Sequence, residues 1–304
     1  MKQTKDAFKY LLSSFLKKTF GLWQYMGFHI SLNSFESPIP DTTRLKETLW
    51  NNYTEHPGII IDQEAMVKLI QLFSSLYKKE YEEFPKVITS IPYKYYVGNG
   101  AFESIDAEIY YCMIRHFKPK RIIEIGAGNS TYLAAQALIK NKEEFGLEAE
   151  LVAVEPYPNE MLIKGFPGFS KLIRKDVQDI DLAEFSRLEE NDILFIDSSH
   201  VLRIGSDVQY EYLELLPRLK RGVLIHIHDI FLPFEYKRDW IFEDHRFLNE
   251  QYLLQAFLAF NNSFEILWTG SLMHKEKPYE LEKAFCSYNR HTVWPGSFWI
   301  KKIK

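Results

Sequence analysis

RIIEIGAGNST, residues 121–131, carries a run of β-formers into an acid, two glycines one residue apart and two hydroxyl residues that open the helical pattern STYLAAQALIK. Strand, glycine turn and helix in that order form a ligand loop at the carboxyl end of a parallel strand. Without Cβ atoms, Gly126 and Gly128 let the backbone turn sharply and approach a ligand closely, while the first turn of the helix offers unpaired N–H groups. A dinucleotide fingerprint requires a third glycine at the sixth position of this loop. Thr131 stands there, and Glu124, just ahead of the loop, opposes a pyrophosphate, so a cationic ligand suits the stretch better.

Outward from this loop, apolar segments alternate with helical ones, the mark of a parallel sheet with crossover helices. Helical SIDAEIYYCMIRHF leads into the first strand; LVAVEP, KLIRKD, DILFIDSS and GVLIHIHDI read as the second to fifth, with SDVQYEYLELLPRL helical between the last two. After helical EQYLLQAFLAF, FEILWTGS and SFWIKKI supply two more strands. Their Ile, Val and Leu content predicts burial on both faces. The first four strands end in acids: Glu124, Glu155, Asp176 and Asp197. The Glu155 carboxylate can take both hydroxyls of a ribose, and Asp176 is placed for an adenine amino group. One such acid is an ordinary loop carboxylate; four at consecutive carboxyl ends indicate a site.

Composition narrows the field. The chain of 304 residues has 46% hydrophobic content, enough for one large core or a main domain with an appendage. A net charge of -4, with acids and bases interspersed, predicts no nucleic-acid partner. Cys112 and Cys286, far apart in sequence, form neither a disulfide framework nor a zinc-ligand spacing. No uncharged apolar run reaches the roughly 18 residues of a spanning helix and no signal-peptide pattern opens the chain, so cytoplasmic residence is the expectation. Residues 1–20 form a basic amphipathic pattern, with Phe8, Leu11, Leu12, Phe15, Leu16 and Phe20 at helical spacing and Lys2, Lys5, Lys9, Lys17 and Lys18 elsewhere. A docking helix, against the body or in a homo-oligomer, is the expected role; lying on an anionic membrane surface is the alternative. Residues 1–95 read as a mostly helical appendage and 96–304 as the α/β domain.

In combination, E-x-G-x-G at 124–128, VEP at 154–156, RKDV at 174–177 and LFIDSSH at 194–200 resemble the ordered motifs of class I S-adenosylmethionine-dependent methyltransferases, over residues 95–304. FIDSSHVLRIGSDV and GVLIHIHDIFLPFEY resemble, more narrowly, a bacterial branch of small-molecule and sugar methyltransferases. The resemblance implies a Rossmann-like, mostly parallel seven-stranded sheet with its last strand antiparallel. It also implies S-adenosylmethionine contacts from Glu124, Gly126, Ala127, Gly128, Ser130 and Thr131, from Glu155 and Pro156, from Asp176 and Val177, and from Asp197 and Ser198. Upstream, Phe102 and Asp106 lie where such enzymes cover the cofactor; helix-start packing and capping is the alternative for both.

Methyl transfer from a sulfonium is an in-line displacement, and a neutral hydroxyl acceptor needs a general base or a metal that favours its ionised form. His228 and Asp229 stand at the carboxyl end of the fifth strand, and His200 follows Asp197 on the neighbouring loop. Asp197, His228 and Asp229 form a candidate site for magnesium or manganese. Related metal-dependent enzymes often carry two acids where this chain has His228–Asp229. Without a metal, His200 or His228 becomes the general base beside Asp197. His226, deeper in the strand, reads as a hydrogen-bonded core histidine, and Arg203 with Asp207 as a local ion pair. Residues 232–252, with Tyr236, Trp240 and His245, have the aromatic and charged composition of an acceptor lid. The expected activity is O-methylation of a small molecule or sugar-containing acceptor. The alternatives are a nitrogen or protein acceptor, or a non-catalytic S-adenosylmethionine-binding domain.

Overall fold

Alternate residues of the central strands face opposite ways, and both sets are apolar. Ile123, Ile125, Val152, Val154, Leu194, Ile196, Ile225 and Ile227 bury into one core cluster, while Ile122, Leu151, Ile193, Phe195 and Leu224 bury into the other. A sheet covered on both faces follows. The computed structural model describes residues 2–51 and 55–304, with side chains from Tyr10 onward. Its strands are β1 (Arg121–Ile125), β2 (Glu150–Val154), β3 (Lys171–Ile173), β4 (Ile193–Ile196), β5 (Leu224–Ile227), β6 (Phe264–Thr269) and β7 (Phe298–Lys302). They form a 7-stranded sheet in the order β3-β2-β1-β4-β5-β7-β6. Pairing is parallel from β3 through β5, and β7 runs antiparallel to both neighbours. This is the Rossmann-like arrangement implied by the motifs.

Strand order reverses at β1, whose neighbours β2 and β4 lead to opposite edges. That is the switch point at which open α/β sheets leave a crevice. Register then sets which residues leave the sheet together. Ile125 is level with Val154 on one side and Ile196 on the other, and Ile196 is level with Ile227. The next residues, Glu155, Gly126, Asp197 and His228, therefore exit four adjacent strands in one row. Ladder-like bonds extend past the strand ends: Gly126 N to Val154 O at 2.9 Å, Asp197 N to Ile125 O at 2.8 Å and His228 N to Ile196 O at 2.9 Å.

The chain forms two compact units, Met1–Asn51 with Lys237–Phe247, and Asn52–Tyr236 with Leu248–Lys304. In the first, the helix Lys2–Lys18 has the predicted amphipathic run, with Leu11 and Phe15 exposed; Phe8 and the lysines 2, 5 and 9 lie outside the residues whose side chains are described. Arg238 grips the Glu47 carboxylate through Nε and Nη2 within the same unit. The larger unit includes the helix Gln63–Tyr81, which begins on the Asp62 side chain bonded to Ala65 N at 2.9 Å. This helix contributes Met66, Ile70, Phe73, Tyr77 and Tyr81 to the same core cluster as β1 and β4, and the Tyr81 hydroxyl donates to Ala284 O at 3.0 Å. The run SDVQYEYLELLPRL is helical but changes pitch, α at Asp207–Tyr210, π at Glu211–Leu215 and 3-10 at Leu216–Arg218, where Pro217 lacks the N–H to continue an α-ladder. Among the described residues no helix is long and apolar enough to cross a membrane.

The burial of Phe73 gives a test of whether residues 63–81 belong to the α/β core. Phe73→Ala should cost about 3–5 kcal/mol and lower the chemical-denaturation midpoint of the whole larger unit. Unfolding of the sheet that is unchanged by this substitution contradicts the shared core.

Candidate functional site

The tightest approach in the site is between backbone segments. Gly126 has φ 82°, and a Cβ placed there would lie 1.9 Å from the Asp197 carbonyl oxygen. Only glycine allows the β1 and β4 exits to run this close. Beyond it, the Thr131 hydroxyl accepts from Gly128 N at 3.0 Å, which folds the loop onto the first turn of the helix Asn129–Phe145. Glu155 closes the other side: its two carboxylate oxygens accept from Ala127 N at 3.2 Å and Tyr157 N at 2.8 Å, and each retains a lone pair for a ligand.

These exits surround a cavity of about 560 Å³ lined by Gly126, Glu155, Pro156, Asp176, Val177 and Asp197, with Ser198 and Ser199 on the β4 side. The volume lies within the ordinary range for small-molecule sites. The structure thus brings Gly126 and three of the four strand-end acids to one hollow, while Ala127, Gly128, Ser130 and Thr131 do not line it. The fourth, Glu124, is fully buried below the loop and takes the Tyr110 hydroxyl at 2.9 Å. Burial pushes its pKa up to about 7, against hydrogen bonds from Thr131, Tyr110 and Ser130 that lower it. Ser130 and Thr131 are buried at the same helix start. Phe102 is buried too, its ring 5.2 Å from the His228 ring and 5.7 Å from that of Phe195.

At the β4–β5 end of the row the side chains converge. The Asp197 carboxylate stands 3.2 Å from His200 Nε2 and 3.3 Å from His228 Nδ1. Asp229 stands 3.8 Å from His200 Nε2 and 3.9 Å from His228 Nδ1. Asp106 approaches His228 Nε2 at 3.5 Å, while its own oxygens accept from Gly296 N and Ser297 N at 3.0 Å each. Burial depresses the basicity of both imidazoles. The Asp197 and Glu250 hydrogen bonds outweigh it for His200, as do the Asp197 and Asp229 charges with the Asp106 bond for His228, so both pKa values rise well above the ordinary histidine range. Desolvation raises the Asp197 pKa, but the two histidines prevail and hold its carboxyl well below the usual carboxylate range. His200 and Asp229 adopt φ of 59° and 53°, left-handed backbone that side chains other than glycine enter at a cost of about 1–3 kcal/mol.

Several expectations change in detail. His226 is a core histidine, but neither ring nitrogen has a hydrogen-bond partner among the described residues. Burial keeps it neutral, and its ring stacks 4.2 Å from Phe195 and 6.0 Å from Tyr110. Asp207 spends its carboxylate on the Ser199 amide at 2.8 Å and hydroxyl at 2.7 Å, and Arg203 reaches that hydroxyl at 3.4 Å, so Ser199 links the two. Trp240 and His245 fall in the smaller compact unit, whereas Tyr236 belongs to the larger one, its buried hydroxyl accepting from Gln251 N at 3.0 Å. Asp197, His228 and Asp229 do meet, yet among the described residues no group of three or more His, Cys, Asp or Glu side chains is arranged to hold a metal ion. The imidazole nitrogens are turned onto the carboxylates as hydrogen-bond and charge partners. Glu250, Glu211 and Tyr110 are site neighbours that sequence reasoning passed over, because their contacts close only in the fold.

Residues 123–230 match the protein family described as "Methyltransferase domain". An uncharacterized protein of Archaeoglobus fulgidus is 35% identical over 165 residues, 52% of this chain and 72% of that protein. Among solved structures, the S-adenosylhomocysteine-bound Podospora anserina methyltransferase PaMTH1 aligns with 90% of this chain and 100% of its own, at 16% identity and a TM-score of 0.41. The mycinamycin-pathway methyltransferase MycE, in complex with magnesium, S-adenosylhomocysteine and mycinamycin VI, aligns with 76% of this chain and 53% of its own, at 15% identity and a TM-score of 0.36.

Glu124 makes the site's electrostatics measurable through stability. With a folded pKa of about 7 against an ordinary 4.5, the folded state binds the proton more tightly, so stability is greatest below pH 4.5 and declines as pH rises through 7. The loss amounts to roughly 3 kcal/mol across that window. Glu124→Gln should flatten this part of the stability–pH curve, measured by denaturation at pH 5, 6, 7 and 8; an equal slope in both proteins contradicts a buried protonated carboxyl.

Proposed function

Because this chain belongs to the class I S-adenosylmethionine-dependent methyltransferases, we propose that it methylates an oxygen of a small-molecule or sugar-containing acceptor, with Asp197, His200 and His228 at the transfer centre. The observation that carries this reading is the convergence of Asp197, His200, His228 and Asp229 at one end of the row of strand exits whose other end lines the cavity.

Bound S-adenosylmethionine supplies a methyl group on a sulfonium sulfur. Glu155 would bind the ribose hydroxyls, Asp176 and Val177 the adenine, and the Gly126–Thr131 loop with Glu124 the amino-acid end. Asp197 lies between these groups and the histidines, so the reacting end would face His200 and His228. Transfer of that methyl group to an acceptor oxygen would leave the hydroxyl proton to be removed by this chain's own side chains. The imidazole of His200 or His228 would take that proton in its neutral form, having first released its own to solvent. A cationic imidazole at the second position stabilises the developing oxyanion. Positive charge bound in the cavity would favour the neutral, proton-accepting form of an imidazole close to it.

A nitrogen or protein acceptor is the alternative that this arrangement favours less, since an amine can present a neutral lone pair without a base. Magnesium or manganese held by Asp197, His228 and Asp229 is the other way to ionise a hydroxyl. As these residues are arranged they do not form a cage, and no step above passes through a cation.

Two measurements check the proposal. Calorimetry should show S-adenosylhomocysteine binding weakened at least about tenfold by Glu155→Ala, the loss of a charge-assisted bond pair of roughly 2–3 kcal/mol; unchanged affinity displaces the cofactor from this cavity. Acceptors can be found by incubating the protein with S-adenosylmethionine and small-molecule extracts and screening for products heavier by one methylene. With such an acceptor, His200→Ala or His228→Ala should lose about a hundredfold or more in rate while exhaustive chelation leaves the rate intact. A rate that falls on chelation and returns with added magnesium instead identifies the metal-assisted mechanism.

A further inference from the structure

We infer that Glu250 is a positioning residue for this reaction, holding the His200 imidazole so that Nε2 faces the strand-end carboxylates. The inference rests on the reading of His200 as part of the transfer centre. Glu250 is fully buried at the start of the helix Glu250–Leu258, and its Oε2 lies 2.8 Å from His200 Nδ1. Its other oxygen accepts from the Tyr212 hydroxyl at 2.9 Å, so both carboxylate oxygens are committed and the side chain has no freedom to swing away.

The backbone is tied at the same point. The His200 carbonyl accepts from Asn249 N at 3.1 Å and Glu250 N at 3.2 Å, two of the orphan donors at that helix start. The Asn249 side chain in turn accepts from Leu202 N at 2.6 Å. These bonds fix the β4 loop on both sides of His200, which accounts for a histidine held at φ 59°. An imidazole with Nδ1 committed to a buried carboxylate presents only Nε2 outward, and Nε2 is the atom 3.2 Å from Asp197 and 3.8 Å from Asp229. Glu250 is fully buried with its two oxygens engaged by His200 and Tyr212, so its effect passes through His200. A base oriented by a third group is a general device of proton-transfer sites, and it recruits here a residue 50 positions away in sequence.

The test reads the ring itself and needs no acceptor. Full-length protein with nitrogen-15-labelled histidine, saturated with S-adenosylhomocysteine, gives a His200 signal recognised by its loss in His200→Ala. The Nδ1 proton should be protected from solvent exchange at least about tenfold more in wild type than in Glu250→Leu, the equivalent of one hydrogen bond to a charged group. Glu250→Gln, which keeps an acceptor oxygen, should recover much of that protection. Equal protection in the leucine variant, or none in the glutamine variant, overturns the inference. If the leucine variant does not fold, the glutamine variant alone decides: a neutral acceptor must shift the Nδ1 proton resonance, and an unmoved resonance overturns the inference. Failure of the base assignment itself reads out separately, as undiminished turnover of His200→Ala.

Discussion

Gly126 packed against the Asp197 carbonyl is the contact on which the site depends. With 1.9 Å between that oxygen and the place a Cβ would occupy, no other residue lets β1 and β4 leave the sheet side by side. Their common exit keeps Glu155, Gly126, Asp197 and His228 in one row, so that the glycine loop and the histidines leave the sheet at the same edge. Sheet register thus does the positioning, and the loops need only carry the chemistry. The site therefore rests on strands flanked by two apolar clusters.

The row ends in a concentration of charge that burial would make costly if any member stood alone. Asp197 faces two imidazoles, His228 is bracketed by Asp197, Asp229 and Asp106, and His200 bridges Asp197 to Glu250. Behind them Glu211, also fully buried, accepts from the Ser198 hydroxyl at 3.1 Å; burial and the neighbouring Glu250 and Asp207 charges raise its pKa, which keeps it protonated and spares the site another negative charge. Such charges are held only together, and two residues of the cluster, His200 and Asp229, sit in left-handed backbone.

What the sequence made legible was whatever repeats along the chain or sits at an element boundary. Seven strands, their burial on both faces and the acids at four carboxyl ends follow from periodicity and from where each apolar run stops. Contacts that close across long separations were not legible. Nothing local in NEQYLL says that Glu250 meets His200, and nothing near Glu108 says that it accepts a hydrogen bond from Ser287. Gln63–Tyr81 looks like any amphipathic helix until its apolar face is seen to share a core with β1. His226 shows the limit of residue-type reasoning: a polar side chain in a strand suggests a hydrogen bond, but aromatic neighbours on its face make a neutral stacked ring the outcome.

Whether the cavity and the histidine cluster are two ends of one site is decided by a crystal structure of the full chain with S-adenosylhomocysteine. In a single site the ribose lies on Glu155, the adenine near Asp176 and the sulfur beside Asp197, with His200 and His228 facing the open side of that sulfur. A sulfur atom lying at the Asp176 end, or outside the crevice between β1 and β4, separates the two.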